Sequence, residues 1–277
     1  MAGFSRDIQA LNDMVDAKTS QAIEEAKGGK QLDIEFEFAS KPKSLLYAGA
    51  PIYEDRFASM VYFATAACAY LVATKMLELG VLPTLIVALC LFVLYDFYSG
   101  ILHIVLDHPP FIRLPLIGQP CLEFQWHHII PDDLCRKDFS QVCGDLNLAV
   151  YVMLPLNWLV WAKFGTDPVV VLASALKVLM AYLGQYSHRS AHQVNRAKRG
   201  GLTCWLQDVG VLISVGDHHK HHTPPHNTNF CLIGICNVVV GAIFKTISAN
   251  AQLALFIAMS LFDVPVLCWA LKQTILS

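Results

Sequence analysis

The stretch Val81–Leu106 runs for 26 residues with a single formal charge, Asp96. A spanning helix needs about 20 mainly apolar residues. Within a bilayer, only helices and closed barrels satisfy every backbone N–H and C=O. A run of this length therefore points to a membrane-helix architecture, and other runs repeat the pattern. Phe57–Thr74 can extend to Met76, and Cys143–Phe164 and Pro168–Tyr186 form a hairpin turned at Gly165-Thr166-Asp167. Ala251–Leu271 is interrupted by Asp263 and Pro265, and Phe230–Phe244 is short enough to read as re-entrant or interfacial. Composition agrees: 55% of residues are hydrophobic and 15% charged, against about 25% charged in soluble domains. The expected fold is all-α, a multi-span membrane helical bundle of four or five spans over residues 57–277, after a soluble N-terminal segment, 1–56. Lys177, midway along the fourth span, is read as snorkelling to the interface rather than meeting a phosphate.

The N-terminal segment holds seven Lys/Arg and ten Asp/Glu. Ile8, Leu11 and Val15 predict a short amphipathic helix ending near Gly28-Gly29, and Ile34, Phe36 and Phe38 alternate with acids in a strand-like period. Transit peptides are poor in acids, so an organelle address fits poorly. A net charge of −2 creates no field that would attract nucleic acid. The nine cysteines form no CxxC pair and read as small buried residues in a reducing compartment.

All eleven histidines lie between His103 and His226, five of them within the nine positions 218–226. If the five spans cross in turn, every histidine emerges on one face. The loops of that face, 108–142 and 187–229, carry eight Lys/Arg, while the opposite turns carry Lys75 and Lys163. The positive-inside rule makes the histidine face cytoplasmic.

Asp96, Ser99, Gly100, His103 and Asp107 recur at three- and four-residue steps, a polar stripe on an apolar helix. Ionisable residues at membrane depth are usually functional or paired. His103 and Asp107 can address one ion, whereas His108 leaves the stripe unless Pro109 ends the helix first. Adjacent His127 and His128 cannot easily share one ion from a regular helix, and so suit two ions or a helix terminus. His188 and His192 are HxxxH, with both rings on one helical face. His218, His221 and His222 form HxxHH, which brings three imidazoles to one side of a turn; His226 follows Pro224-Pro225, which must break the helix. Spacing leaves His108, His219 and His226 open as direct ligands. So many imidazoles, with an acid or two, exceed one tetrahedral zinc site and suit two ions, with imidazole and carboxylate compatible with iron.

At these residues the chain resembles the membrane lipid-desaturase family known as Kua, which includes animal plasmanylethanolamine desaturases and plant desaturases of plastid phosphatidylglycerol. The matching pieces are DFYSGILHIVLD at 96–107, HHIIP with RKDF at 127–139, HRSAH at 188–192, LQDVGVLIS at 206–214 and HKHHTPPHNTNFCLIGICN at 219–237. Lys137 stands where animal members have histidine, and Asp217 departs from the animal pattern in the same way. His226 agrees with the animal form, while LQDVGVLIS and the basic link Arg196–Arg199 look plant-like.

The resemblance implies a non-haem di-iron centre that uses O2 and two electrons to remove hydrogens from a lipid chain. It implies ligands at His103, His127, His128, His188, His192, His218, His221 and His222, with Asp107 close by; His226 completes the candidate set. No haem-binding HPGG or Gly-rich flavin segment occurs, so a separate donor is expected, a small cytochrome or ferredoxin. The expected substrate is a membrane glycerophospholipid, its chain in an apolar slot to which Phe97, Tyr98, Trp126, Leu146 and Trp158 could contribute. Vinyl-ether formation in the endoplasmic reticulum is placed ahead of acyl desaturation in a plastid membrane. A di-metal lipid hydroxylase and a metal transporter are the rival readings.

Overall fold

The computed structural model describes residues 59–143 except 116, 130, 132 and 137, then 167–223 and 226–275, with 21 and 159 as isolated positions. In chain order the helices are α1 (Met60–Leu79), α2 (Val81–Leu106), a 3-10 turn (Pro109–Arg113), α3 (Gly118–Ile129), and the single turns α4 (Asp133–Arg136) and α5 (Phe139–Val142). Then come α6 (Pro168–His192), the single turn α7 (Arg196–Arg199), α8 (Gly201–Asp208), α9 (Val215–His221), α10 (Asn237–Thr246) and α11 (Ala249–Thr274). No strand occurs among the described residues. Helices α1, α2, α6 and α11 are each long and apolar enough to cross a membrane, so the expected all-α multi-span architecture is observed. The short apolar run after Phe230 becomes the ten-residue α10, too short to span. The third expected span (Cys143 and Leu159 excepted), the N-terminal helix and strand (helical Gln21 excepted), Lys137 and Pro224-Pro225 lie outside the described residues.

Contacts divide the described chain into two compact units, one of residues 105–133 and the other of 59–104 with 134–275. In the larger unit α6 is central: 72% of its most apolar window is buried, against 17% for α1 and 17% for α11. Asp167 opens α6 by accepting from Val169 N at 2.9 Å, with Pro168 in the first helical position, where its missing N–H costs nothing. Lys272 of α11 pairs with the same carboxylate. Val61, Ala64 and Cys68 of α1 pack on Ala175, Val178 and Tyr182, while Val72 and Leu79 reach the Val169–Ala173 end, so α1 and α6 are antiparallel.

Helix α2 instead runs parallel to α6. Val87 meets Val169–Ala173, and Leu91 and Tyr95 meet Met180 and Ala181 farther along. A Cβ at Gly184 would come 2.3 Å from Tyr95 Oη, so glycine is what lets the two helices close here. The C-terminal ends of α2 and α6 therefore lie together.

Lys177 departs from the sequence reading. Its Nζ lies 2.7 Å from Asp263 Oδ1 of α11, with side-chain exposures of 4% and 6%, and 5.1 Å from the centroid of the Tyr98 ring. Snorkelling loses to pairing because a mid-span ammonium is far from water and an acid faces it across the helix packing. Asp96 is also paired. Its carboxylate accepts from Ile233 N at 2.9 Å, Gly234 N at 3.0 Å and Cys236 N at 2.7 Å. Ser99 Oγ adds Leu232 N at 3.1 Å, and a Cβ at Gly100 would strike Cys231 Sγ at 2.7 Å. The first half of the polar stripe thus binds the 231–236 backbone to α2.

In the smaller unit, Phe111 and Ile112 of the 3-10 turn are buried, and a Cβ at Gly118 would meet Ile112 O at 2.2 Å, so the start of α3 sits close on that turn.

Two expectations follow for protein in detergent. Lys177→Met strands a buried carboxylate and should cost about 3–5 kcal/mol. Adding Asp263→Leu should recover most of that, read as the midpoint of thermal unfolding; equal loss in single and double variants would contradict the pairing. Asp96→Ala leaves three donors unsatisfied and should cost about 3–5 kcal/mol, and an unchanged midpoint would contradict its anchoring role.

Candidate metal centre

In the larger unit four imidazoles from α6 and α9 converge. His188 and His192 are four apart on the last turns of α6, and His218 and His222 are four apart at the end of α9. Each pair shares a helical face, and the two faces meet. His188 Nε2 lies 3.3 Å from His192 Nε2, His192 Nε2 lies 2.8 Å from His218 Nε2, and His218 Nε2 lies 3.1 Å from His222 Nε2. One ligand atom from each of the four fits within 4.8 Å of the others. His221, three past His218, turns out of this group toward His103, with ring centroids 4.4 Å apart. The HxxHH element therefore divides between two groups instead of presenting three rings to one. The groups adjoin, with the His103 and His188 rings 5.7 Å apart.

The strap after His222 sets the second group. His221 Nδ1 donates to Thr228 O at 2.9 Å, and His103 Nδ1 donates to Phe230 O at 2.8 Å. Each carbonyl fixes the tautomer and leaves Nε2 as the lone-pair atom, the usual way a ligand imidazole is oriented. The strap turns through His226 (φ 56°) and Asn229 (φ 55°), conformations that non-glycine residues adopt at some cost. Hydrogen bonds offset it: His226 Nδ1 to His221 O at 3.0 Å and Asn229 Nδ2 to Asp217 O at 3.1 Å. His226 belongs to neither group and instead braces the His221 backbone. His219 is exposed.

In the smaller unit His127 and His128 occupy the last turn of α3, their rings 4.7 Å apart and inclined at 78°, so they diverge as adjacent residues must. His127 is buried against Phe124. His128 Nε2 lies 3.3 Å from Asp107 Oδ1. Helix α2 ends at Leu106, and His108 is extended, leading into Pro109 with its ring on Phe111, which removes it from the stripe. Burial lowers its basicity.

The residues fit a metal. Nitrogens about 2.1 Å from one ion sit about 3 Å apart when adjacent and about 4.2 Å apart when opposite, near the separations of the four-histidine group. As hydrogen bonds, each of those Nε2 contacts needs one ring proton; as ligation, none. Burial holds His218 well below its ordinary value, and the imidazoles of His188, His192, His222 and His103 push the same way. A neutral imidazole is the form that binds metal.

Sequence reasoning found the histidines and missed the brackets around them. Ser187, fully buried one residue before His188, donates to Leu232 O at 2.8 Å and accepts from Ile213 N at 3.0 Å. A buried serine inside HRSAH's flank was the available signal, but its partners lie 26 and 45 residues away.

A family model described as a lipid desaturase domain matches residues 92–251. Fatty acid desaturase 4-like 1, chloroplastic, of Arabidopsis thaliana is 28% identical over 169 residues, 60% of this chain and 54% of that protein. Fatty acid desaturase 4, chloroplastic, of the same plant is 31% identical over 146 residues, covering 51% and 42%. Plasmanylethanolamine desaturase 1 of Mus musculus is 30% identical over 172 residues, covering 57% and 58%. The chain spans about half the length of these curated relatives. No solved structure matches the chain significantly. The matched region contains every histidine group and the Asp96 anchor, and the chain belongs to the lipid desaturase domain family.

Proposed function

We propose that the protein is a membrane-bound di-iron desaturase that introduces a double bond into a glycerophospholipid chain, with its histidine face toward the cytoplasm. The observation that carries this reading is the pair of adjoining imidazole groups, His188/His192/His218/His222 and His103/His221, at one end of a bundle of apolar helices. The proposed ligands are these six with His127, His128 and Asp107, and His226 is assigned a bracing role. Iron suits a donor set of imidazole with carboxylate.

Bound iron would supply the oxidising chemistry, in which O2, two electrons and two protons take two hydrogens from the lipid chain and leave one double bond and two waters. The protein's share is positioning and exclusion of water. The carbonyls of Thr228 and Phe230 keep the His221 and His103 lone pairs aimed, and burial disfavours protonation of His218. Electrons are assigned to a separate small cytochrome or ferredoxin. Vinyl-ether formation on a plasmanyl lipid is the leading substrate reading, supported by the likeness to the mouse enzyme. The likeness to the plant enzymes supports fatty-acyl desaturation as the second.

Purified protein should contain about two iron ions per chain, and tightly bound zinc alone would overturn the reading. His221→Ala should lower iron affinity by more than about 100-fold and abolish product, while His219→Ala, at an exposed neighbour, should leave both intact. Lipid mass spectrometry of cells expressing the chain separates the substrates: a new vinyl ether selects the first and a new acyl double bond the second. An iron-loaded protein yielding neither would refute desaturation.

A further inference from the structure

Helix α8 is apolar on the wrong side for a helix surrounded by water. Thr203, Cys204 and Gln207 face the protein and are buried. Leu202, Trp205 and Val209, at steps of three and four, face away with exposures of 70%, 57% and 53%. At 100° per residue these three fall within about 60° of one another, opposite the buried face. Val194, just before α7, is 76% exposed as well.

The level of α8 follows from one contact. Thr203 Oγ1 lies 2.6 Å from Tyr186 Oη of α6, which ties α8 to that span at a residue six positions before its end. A hydrocarbon layer of about 30 Å uses up about 20 residues of helix, which from Pro168 leads to the neighbourhood of Ser187. The outward face of α8 therefore points sideways at the depth where the acyl region gives way to headgroups. Tryptophan is enriched at that depth. Beside the stripe stand Arg196, Lys198 and Arg199. Arg196 pairs with Asp208 at 2.7 Å and Arg199 donates to Gln207, leaving three bases against one acid around the helix.

We propose that α8 is an interfacial helix: Leu202, Trp205 and Val209 rest in the acyl–headgroup boundary of the membrane that the four spans cross, and the Arg196–Arg199 turn lies among lipid phosphates. The partner is a phospholipid surface, and basic residues over buried apolar ones are the pattern such a helix requires. Its neighbour on α6, Tyr186, is two residues from His188, so this edge sets the depth at which lipid approaches the histidine groups. The inference rests on the membrane spans and stands independently of desaturation.

The test uses full-length protein in nanodiscs whose phosphatidylcholine carries bromines either near the headgroup or near the chain end. The difference in fluorescence between wild type and Trp205→Phe isolates Trp205 among the five tryptophans. The expected component is blue-shifted, quenched most by the shallow bromines and little by aqueous iodide. Quenching by iodide with none by brominated lipid would place the face in water and overturn the proposal. Quenching by neither would put a second copy or another protein against it, with the same consequence. Iron content and product should survive Trp205→Phe, so the result is independent of the functional reading.

Discussion

The arrangement of the histidines depends on one buried carboxylate. Asp96 is fully buried on α2, and an isolated charge there would cost several kcal/mol. Three backbone N–H groups of the 233–236 turn supply the compensation. The turn in turn gains acceptors for donors that no helix ladder uses. With that turn fixed, Phe230 and Thr228 present their carbonyls to His103 and His221. A residue two helical turns from His103 thus governs both imidazoles without touching either.

Much of this was legible in the sequence, for physical reasons that also mark where reading stops. Apolar length names a span, so Val81–Leu106 is found to the residue and Pro168 is found as a helix start, while that helix runs six residues past the expected Tyr186 to His192; the i,i+4 repeat names a shared face, so HxxxH is read correctly. Both are local rules. HxxHH was read as one face because 218, 221 and 222 are close in angle, yet 221 lies about 80° from the 218/222 bisector, enough for another neighbour to claim it. The Lys177–Asp263 pair lies 86 residues apart, and no periodicity announces which acid a mid-span lysine will meet. The polar stripe was seen but not its division of labour: Asp96 and Ser99 hold backbone N–H groups, Gly100 makes room for Cys231, and His103 and Asp107 face histidines.

The location of the groups argues about their chemistry. A transporter is expected to hold its ion near the bilayer midplane between broken helices. Here His103 is in the last turn of α2, His192 in that of α6, and His218 and His221 in that of α9. Each helix C-terminus carries a partial negative charge that favours a cation by about 0.3–1 kcal/mol, more when partly buried. Ions bound there would lie at the helix ends and not midway along the spans.

Those dipoles would favour protons as readily as a metal, so something else must discriminate. Protonating His218 is opposed first by burial and then by the imidazoles around it. A single divalent ion instead uses all four lone pairs at once and places its charge at the point where the helix ends converge. The Nε2 separations of 2.8, 3.1 and 3.3 Å are short enough for that sharing and too short for several imidazolium ions. Crowding imidazoles at helix C-termini would thus favour a metal over protons, and the strap tied to Asp96 holds the His103 and His221 rings in fixed directions.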